Sequence, residues 1–406
     1  MKLAALNTTA IPVRWRYWAT AVLVLCLLLP LWYNTSHSST GKALNGSVEK
    51  LVFDIELAQE ETLQQGTQPE DYLRQIESLV EAARYAEAAK FAEILVNDYP
   101  TFQLGSLLYA ELLNLASDAP KANPLRQIAD QDKQTVVAGL DKELRNRLSA
   151  LRTPYPANSI PKGFGFLAAS TEYFAVVDAS TSRMYVFKNT ATPEQPAQLN
   201  LVHDFYVSVG QKGIFKKEEG DGRTPVGVYF TQKKLDEKRL PDLYGAGAIT
   251  LNYPNLYDRH QGRTGSGIWV HGAPSAQYSR LPEASDGCLV LSNDTMKALL
   301  DLDQTKGIPI FIQAKIDWVP ANQTFQLPAP LRQLVSEKYL TARSGREAAS
   351  PSPENLMNDR ILHLLSWRDQ DRTVVLLDFK TTQEKVMRTY WEESQGTWKQ
   401  VGESPV

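Results

Sequence analysis

Residues 267–294 read GIWVHGAPSAQYSRLPEASDGCLVLSND, and the fold is decided by how its two apolar ends are used. Ile268-Trp269-Val270 and Leu289-Val290-Leu291 are short, β-branched and aromatic runs, the pattern of buried strands. The first delivers His271 and Gly272; fourteen residues after that histidine come Ser285-Asp286-Gly287-Cys288, which lead straight into the second. Cys288 therefore sits where a tight glycine turn meets a buried run, a place that exposes a thiol while fixing its backbone. Nucleophilic catalysis by cysteine needs a base within hydrogen-bond reach, and imidazole has the best-suited unperturbed pKa. His271 is the nearest candidate in sequence. Such a pair is expected to lower the thiol pKa, with the backbone N–H groups of Gly287 and Cys288 receiving a developing oxyanion.

Around this stretch the same pattern continues. FAVVDASTSRMYVF, LVHDFYVSVG, TPVGVYF and AITLNY are separated by Gly, Pro, Asp and Asn, so residues 155–318 form an all-β domain ending in GIPIFIQAKIDWV. Downstream, the Pro-rich FQLPAPLRQ links to a small α+β tail, residues 331–406, with strands TVVLLDF, EKVMRTYWEE and GTWKQVGE. Upstream, residues 48–151 are helical: Leu73, Ile76, Val80 and Ala83 follow a three-to-four spacing, and Val136, Leu140, Leu144 and Leu148 step by four. The segment ARYAEAAKFAEILVNDYPTFQLGSLLYAELL resembles a tetratricopeptide-type hairpin, yet no second or third copy follows, so a small bundle that positions the next domain is the better reading. Its apolar stripes read as core, and protein partners through this region stay open.

Residues 34–47 are a Ser/Thr/Asn/Gly-rich tether. Before them, residues 17–33 hold the apolar run AVLVLCLLLPLW with aromatic ends, behind the positive Lys2, Arg14 and Arg16 of a short cytoplasmic segment, residues 1–16. This reads as a single-pass anchor in the inner membrane that leaves the rest of the chain in the periplasm. A cleaved signal peptide is the competing reading, with Ser36-His37-Ser38 as a small-x-small candidate. Cys26 lies inside the apolar segment, so Cys288 is the one thiol of the exported part and has no disulfide partner in the chain. An unpaired thiol in an oxidising compartment is either buried or used. With 406 residues and a net charge of -3, several domains are expected and a nucleic-acid partner is disfavoured. No His/Cys/Asp cluster has metal-ligand spacing and no phosphate-loop pattern occurs, so neither metal nor cofactor is expected.

The run His271-Gly272 … Ser285-x-Gly287-Cys288, preceded by GDGRTPVGVY from Gly220 and by DRHQGRTGSGIWVHG, resembles the YkuD-type L,D-transpeptidase catalytic domain over about Phe174 to Ile312. The resemblance implies a β-sandwich-like fold acting on peptidoglycan stem peptides. In that reading Cys288 is the nucleophile, His271 the general base and acid, Gly272 the source of the carbonyl that orients the imidazole, and Ser285 and Gly287 shape the turn. Many members of the family read S-H-G-C-[IV]-R, whereas this chain carries Asp286 and Val290 at the variable positions. Asp286 either contacts a cationic group of the substrate or caps the turn. Tyr253, His260 and Arg263, in and before the loop that leads to the histidine strand, are the other substrate-binding candidates. His203 reads as a structural edge histidine, Tyr229 and Tyr257 as core, and His37 and His363 carry no signal. The tail resembles the last hairpin of NTF2-like domains, with Trp391 and Trp398 expected in its core.

Overall fold

The computed structural model describes residues 68–117, 131–191, 199–302, 305–340 and 360–406. The cytoplasmic segment, the anchor at 17–33 and the tether lie outside them, and among the described residues no helix is long and apolar enough to cross a membrane.

Four helices open the described chain: α1 Pro69–Glu81, α2 Tyr85–Asp98, α3 Gln103–Leu115 and α4 Gln131–Arg152. Pro69, Glu70 and Asp71 in the first turn of α1 suit a helix N-terminus, where a missing N–H is harmless and negative charge meets the dipole. Its buried stripe is Tyr72, Leu73, Ile76 and Leu79. Val80 is instead exposed, and Ala83 falls beyond the helix with a positive φ of 57°, so the expected stripe is rotated by about one residue. Small Ala88, Ala89 and Ala92 on α2 let the flanking helices approach closely. On α4, Leu140 is buried and Leu144 and Leu148 pack at the edge of the helical core, but Val136 is exposed. The side chains most deeply buried on α4 are charged: Glu143 and Arg147, each 2% exposed.

The β region is built on one eight-stranded sheet in the order β11-β9-β8-β7-β12-β3-β4-β5. Its strands are β3 Tyr173–Asp178, β4 Arg183–Asn189, β5 Leu199–Tyr206, β7 Gly227–Asp236, β8 Gly247–Leu251, β9 Trp269–Gly272, β11 Leu289–Leu291 and β12 Pro309–Gln313. Two pairs, β12 with β3 and β11 with β9, are parallel, and the rest are antiparallel. The sheet curls on itself: Ala175, Val177, Tyr229, Ile310 and Ile312 share one core with Val270, Leu289 and Leu291 from its far end and with Met296 and Leu299 of helix α6, Asn293–Leu300. Minor strands β1 Ser159–Pro161 and β13 Trp318–Pro320 pair with each other, as do β6 Val209–Gly210 and β10 Glu283–Ser285. A short helix α5, Leu256–His260, lies between β8 and β9.

The tail is no separate appendage. Helix α7, Ala329–Val335, precedes the antiparallel meander β14 Ile361–Asp369, β15 Arg372–Lys380, β16 Val386–Ser394 and β17 Thr397–Pro405, and strand β2, Phe164–Leu167, joins β14 as a fifth strand. Leu365, Trp367, Val374, Leu376 and Tyr390 from this sheet interleave with Phe174, Val176, Val228 and Phe311 from the other face of the eight-stranded sheet. On the tail's outer face, α7 covers Val375, Leu377, Phe379 and Trp391, with Trp398 packed at the margin. The boundary at 318 therefore separates chain segments and leaves one core in common.

Candidate active site

The histidine and the cysteine lie on, and just before, two strands that pair with each other. Leu289 lies opposite Val270 and Val290 opposite His271 in a parallel pair, and side chains alternate between faces along each strand. Val270, Leu289 and Leu291 point into the core, so His271 and Val290 take the other face. Cys288 immediately precedes β11, the parallel partner of the strand that carries His271.

His271 is buried, and its Nδ1 lies 2.7 Å from the carbonyl oxygen of Gly272. A carbonyl only accepts, so Nδ1 carries the hydrogen and Nε2 is the basic atom. The ring of Tyr244 packs against the imidazole edge-on, with centroids 5.0 Å apart. Behind Gly272, the Asn293 side chain accepts a 2.8 Å hydrogen bond from the Ala246 N–H, and a β-carbon at Gly272 would stand 2.3 Å from that same Asn293 oxygen. Glycine is needed there for space.

Cys288 is a free, partly exposed thiol whose sulfur donates to the Gly267 carbonyl at 3.4 Å. Among the described hydrogen bonds none joins it to the His271 ring. Burial pushes the Cys288 thiol up; the Trp269 N–H pulls it down, the Asp286 charge adds to the rise and Lys216 opposes it. Burial likewise drives the His271 imidazole down to about 4, against the raising effect of its bond to Gly272, and the nearby Arg280 charge lowers it further. Burial thus favours the uncharged form of both groups.

The cysteine turn is held from two sides. Ser285 Oγ donates to the Cys288 carbonyl at 2.7 Å and accepts from the Gly287 N–H at 3.1 Å. That N–H, expected to be a free oxyanion donor, is thus committed to the turn, which leaves the Cys288 N–H as the candidate. Gly287 has φ +125°, and a β-carbon there would meet the Arg223 carbonyl at 2.6 Å. Fully buried Thr224, from the GDGRTPVG segment, donates to the Gly287 carbonyl and accepts from the Gly210 N–H, both at 2.9 Å. Asp221 of the same segment accepts from Lys216 Nζ and from the N–H groups of Lys217, Glu218 and Arg223. Desolvation pushes its carboxyl up, but those bonds prevail and hold it at about 2. Reading the segment as a turn accounts for its glycines and misses Thr224, whose partners lie 14 and 63 residues away.

The remaining candidates separate from this centre. Asp286 is exposed and accepts from Gln211 Nε2 at 2.9 Å. Tyr253 is buried, with its hydroxyl on the Thr264 carbonyl at 3.0 Å. Arg263 is committed to two buried carboxylates, Asp258 at 3.0 Å and Asp369 of the tail, so its charge serves the seam between the sheets. His260 is exposed at the end of α5, a helix that packs on β17. His203 stacks on Phe205 in the outermost strand, and His363 bridges Asp378 and Thr171, each at 2.7 Å.

The family model of the YkuD L,D-transpeptidase catalytic domain matches residues 172–312, which hold the whole of the His271–Cys288 centre. The chain carries a YkuD domain. A comparison with curated proteins finds no match. Among solved structures, Bd1075 of Bdellovibrio bacteriovorus is similar at 24% identity and a TM-score of 0.43, over 61% of this chain and 98% of that one. The helical cell shape determining protein Pgp2 of Campylobacter jejuni is similar at 18% identity and a TM-score of 0.43, over 64% of this chain and all of that one. The matched residues of the YkuD domain stop short of both the helical region and the tail.

Proposed function

We propose that this protein is a peptidoglycan L,D-transpeptidase in which Cys288 is the nucleophile and His271 the base, held outside the cytoplasm by residues 17–33. What supports the proposal is the parallel pairing of β9 with β11: Cys288 immediately precedes β11, whose partner strand carries His271, an imidazole with its Nδ1 fixed to Gly272. His271 Nε2 takes the proton of Cys288 as sulfur attacks the carbonyl of the third stem-peptide residue. The tetrahedral intermediate collapses to a thioester while the imidazolium returns the proton to the departing D-alanine amine. An amine of a second stem then attacks the thioester, its proton passes to His271 and on to the sulfur, and a 3-3 cross-link remains. An uncharged resting pair suits this order, because the proton moves only when a substrate displaces water and brings an electrophile to the sulfur.

Mass spectrometry after incubation with a carbapenem, a β-lactam electrophile, tests the nucleophile. A covalent adduct on Cys288 is expected, lost in Cys288→Ala and slowed by orders of magnitude in His271→Gln. A folded wild-type protein that forms no adduct refutes the assignment. Incubation of the exported part with wall tetrapeptides then identifies the acceptor: a cross-linked dimer is expected, whereas a tripeptide or a lipoprotein conjugate assigns the acyl group to water or to a protein amine.

A further inference from the structure

Residues 273–282 join β9 to β10, so one end of this loop follows His271 and the other precedes Ser285 and the Cys288 turn. A surface loop is ordinarily the loosest part of a fold. Here its middle is pinned, and the helical region does the pinning. The Tyr278 N–H donates to the carbonyl of Thr101, in the turn between α2 and α3, at 3.1 Å. The Tyr278 ring sits edge-on against Tyr99 and against Phe102, with centroids 5.1 Å apart in each pair. Ser279 Oγ donates to Glu143 at 2.8 Å, and that carboxylate is itself paired with buried Arg147 at 2.9 Å. Leu281 packs on α4 at Gly139, where a β-carbon would stand 2.6 Å from its side chain. Just past the loop, Glu283 pairs with Lys142 of α4 at 2.6 Å.

From this pinned middle the contacts run on to the site. The Arg147 guanidinium lies 3.9 Å from the centre of the Tyr206 ring, whose hydroxyl donates to the Arg280 carbonyl at 2.9 Å. Arg280 donates to the Ala284 carbonyl at 2.7 Å, one residue before the Ser285 hydroxyl that closes the Cys288 turn. Thr101, Tyr99, Phe102, Gly139, Lys142, Glu143 and Arg147 all lie outside the YkuD domain, which begins at residue 172.

We infer that Tyr278 is a positioning residue and that the helical region is a working part of the active site: Tyr278, docked between Tyr99 and Phe102, fixes the loop that sets Cys288 relative to His271. The inference takes its nucleophile and base from the transpeptidase reading above. Reacting groups misplaced by about 1 Å can lose roughly 100-fold in rate, so a loop that swings free of the helices slows the chemistry without unfolding the strands.

The test compares the full chain as wild type, Tyr278→Ala and Tyr278→Phe by three measurements: carbapenem acylation of Cys288, thermal unfolding, and hydrogen exchange of the amides of residues 273–287. Tyr278→Ala is expected to acylate at least tenfold more slowly per folded molecule and to exchange faster in the loop. Tyr278→Phe, which keeps the ring, should stay close to wild type in both. A tyrosine that only fills the helical core would lower the unfolding midpoint and leave the folded protein's acylation rate unchanged, and that result overturns the inference. So does loop exchange that Tyr278→Ala leaves as it was. Should Tyr278→Ala fail to fold, Lys142→Glu keeps the test, because it sets two like charges against each other on the surface. It should slow acylation severalfold, and adding Glu283→Lys should restore the rate; no slowing, or no restoration, overturns the inference. A wild type that is not acylated, with loop exchange that still rises in Tyr278→Ala, sinks the transpeptidase reading and leaves the helical anchor standing.

Discussion

Thr224→Val isolates the contact that ties the GDGRTPVG segment to the Cys288 turn. Valine keeps the volume and branching of threonine, so no cavity opens, and the change removes one hydroxyl that serves two backbone groups, the Gly287 carbonyl and the Gly210 N–H, both at 2.9 Å. Thr224 is fully buried, so water reaches neither group without moving the loop. Leaving a buried donor or acceptor unpaired costs about 1–3 kcal/mol each, which gives roughly 2–6 kcal/mol for the pair. For a domain of this size 1 kcal/mol shifts the thermal midpoint by about 2–4 °C, so a fall of at least about 4 °C is expected. Differential scanning calorimetry measures it. The lost anchor is one residue from Cys288, so carbapenem acylation should slow more than the fall in folded fraction explains. Thr224→Ser is the control: it keeps the hydroxyl and loses one methyl, worth about 0.8 kcal/mol, and should acylate at nearly the wild-type rate. A valine variant within 1 °C or so of wild type that also acylates normally would falsify the claim that this hydroxyl holds the turn.

Other expectations follow from the charges. With the thiol raised and the imidazole lowered to about 4, alkylation of Cys288 by iodoacetamide should keep climbing through the alkaline range; a plateau reached below neutral pH indicates a thiolate–imidazolium pair instead. Between the unfolded value of 6.5 and about 4 the unfolded chain binds a proton at His271 that the folded chain refuses, so stability falls as pH falls through that window. The difference amounts to about 3 kcal/mol, and a pH series of urea midpoints should lose that slope in His271→Gln. Arg263→Leu leaves Asp258 and Asp369 as unpaired buried charges and should cost about 3–5 kcal/mol in urea unfolding, whereas an unchanged midpoint contradicts the buried-network reading. Arg147→Met strands Glu143 and should destabilise by a similar amount. It should also slow acylation, because Glu143 accepts from Ser279 in the loop that connects His271 to Cys288; a stability loss with a normal acylation rate denies that coupling.

The strands were legible wherever hydrophobic runs met turn residues. TVVLLDF, EKVMRTYWEE and GTWKQVGE fall in β15, β16 and β17, and GIPIFIQ contains β12. What escaped was pairing between distant segments. Strand β14, ILHLLSWRD, is buried through its middle by a neighbour 198 residues earlier, the Leu364–Phe166 pair, and no local periodicity announces such a partner. Likewise the buried stripe of α4 has ion-paired Glu143 and Arg147 in it, so a count of apolar residues reads the helix as more solvated than it is.

The same limit governs the site. His271, Gly272, Ser285, Gly287 and Cys288 are readable because they lie within one short stretch, whose two strands pair with each other. Thr224 and Tyr244 come from elsewhere, and Arg280 and Asn293, though in or beside that stretch, are of residue types too common to stand out. Sequence supplies the list of neighbours of the thiol, whereas burial, the largest influence on it here, comes from strands far apart in the chain. Arg263 shows the converse: an arginine near a catalytic strand suggests a substrate contact, but Asp369, 106 residues later, lies beside it once the tail sheet closes over the domain. A charge whose sequence position suggests a ligand is taken where the fold supplies a buried partner, as at Arg263.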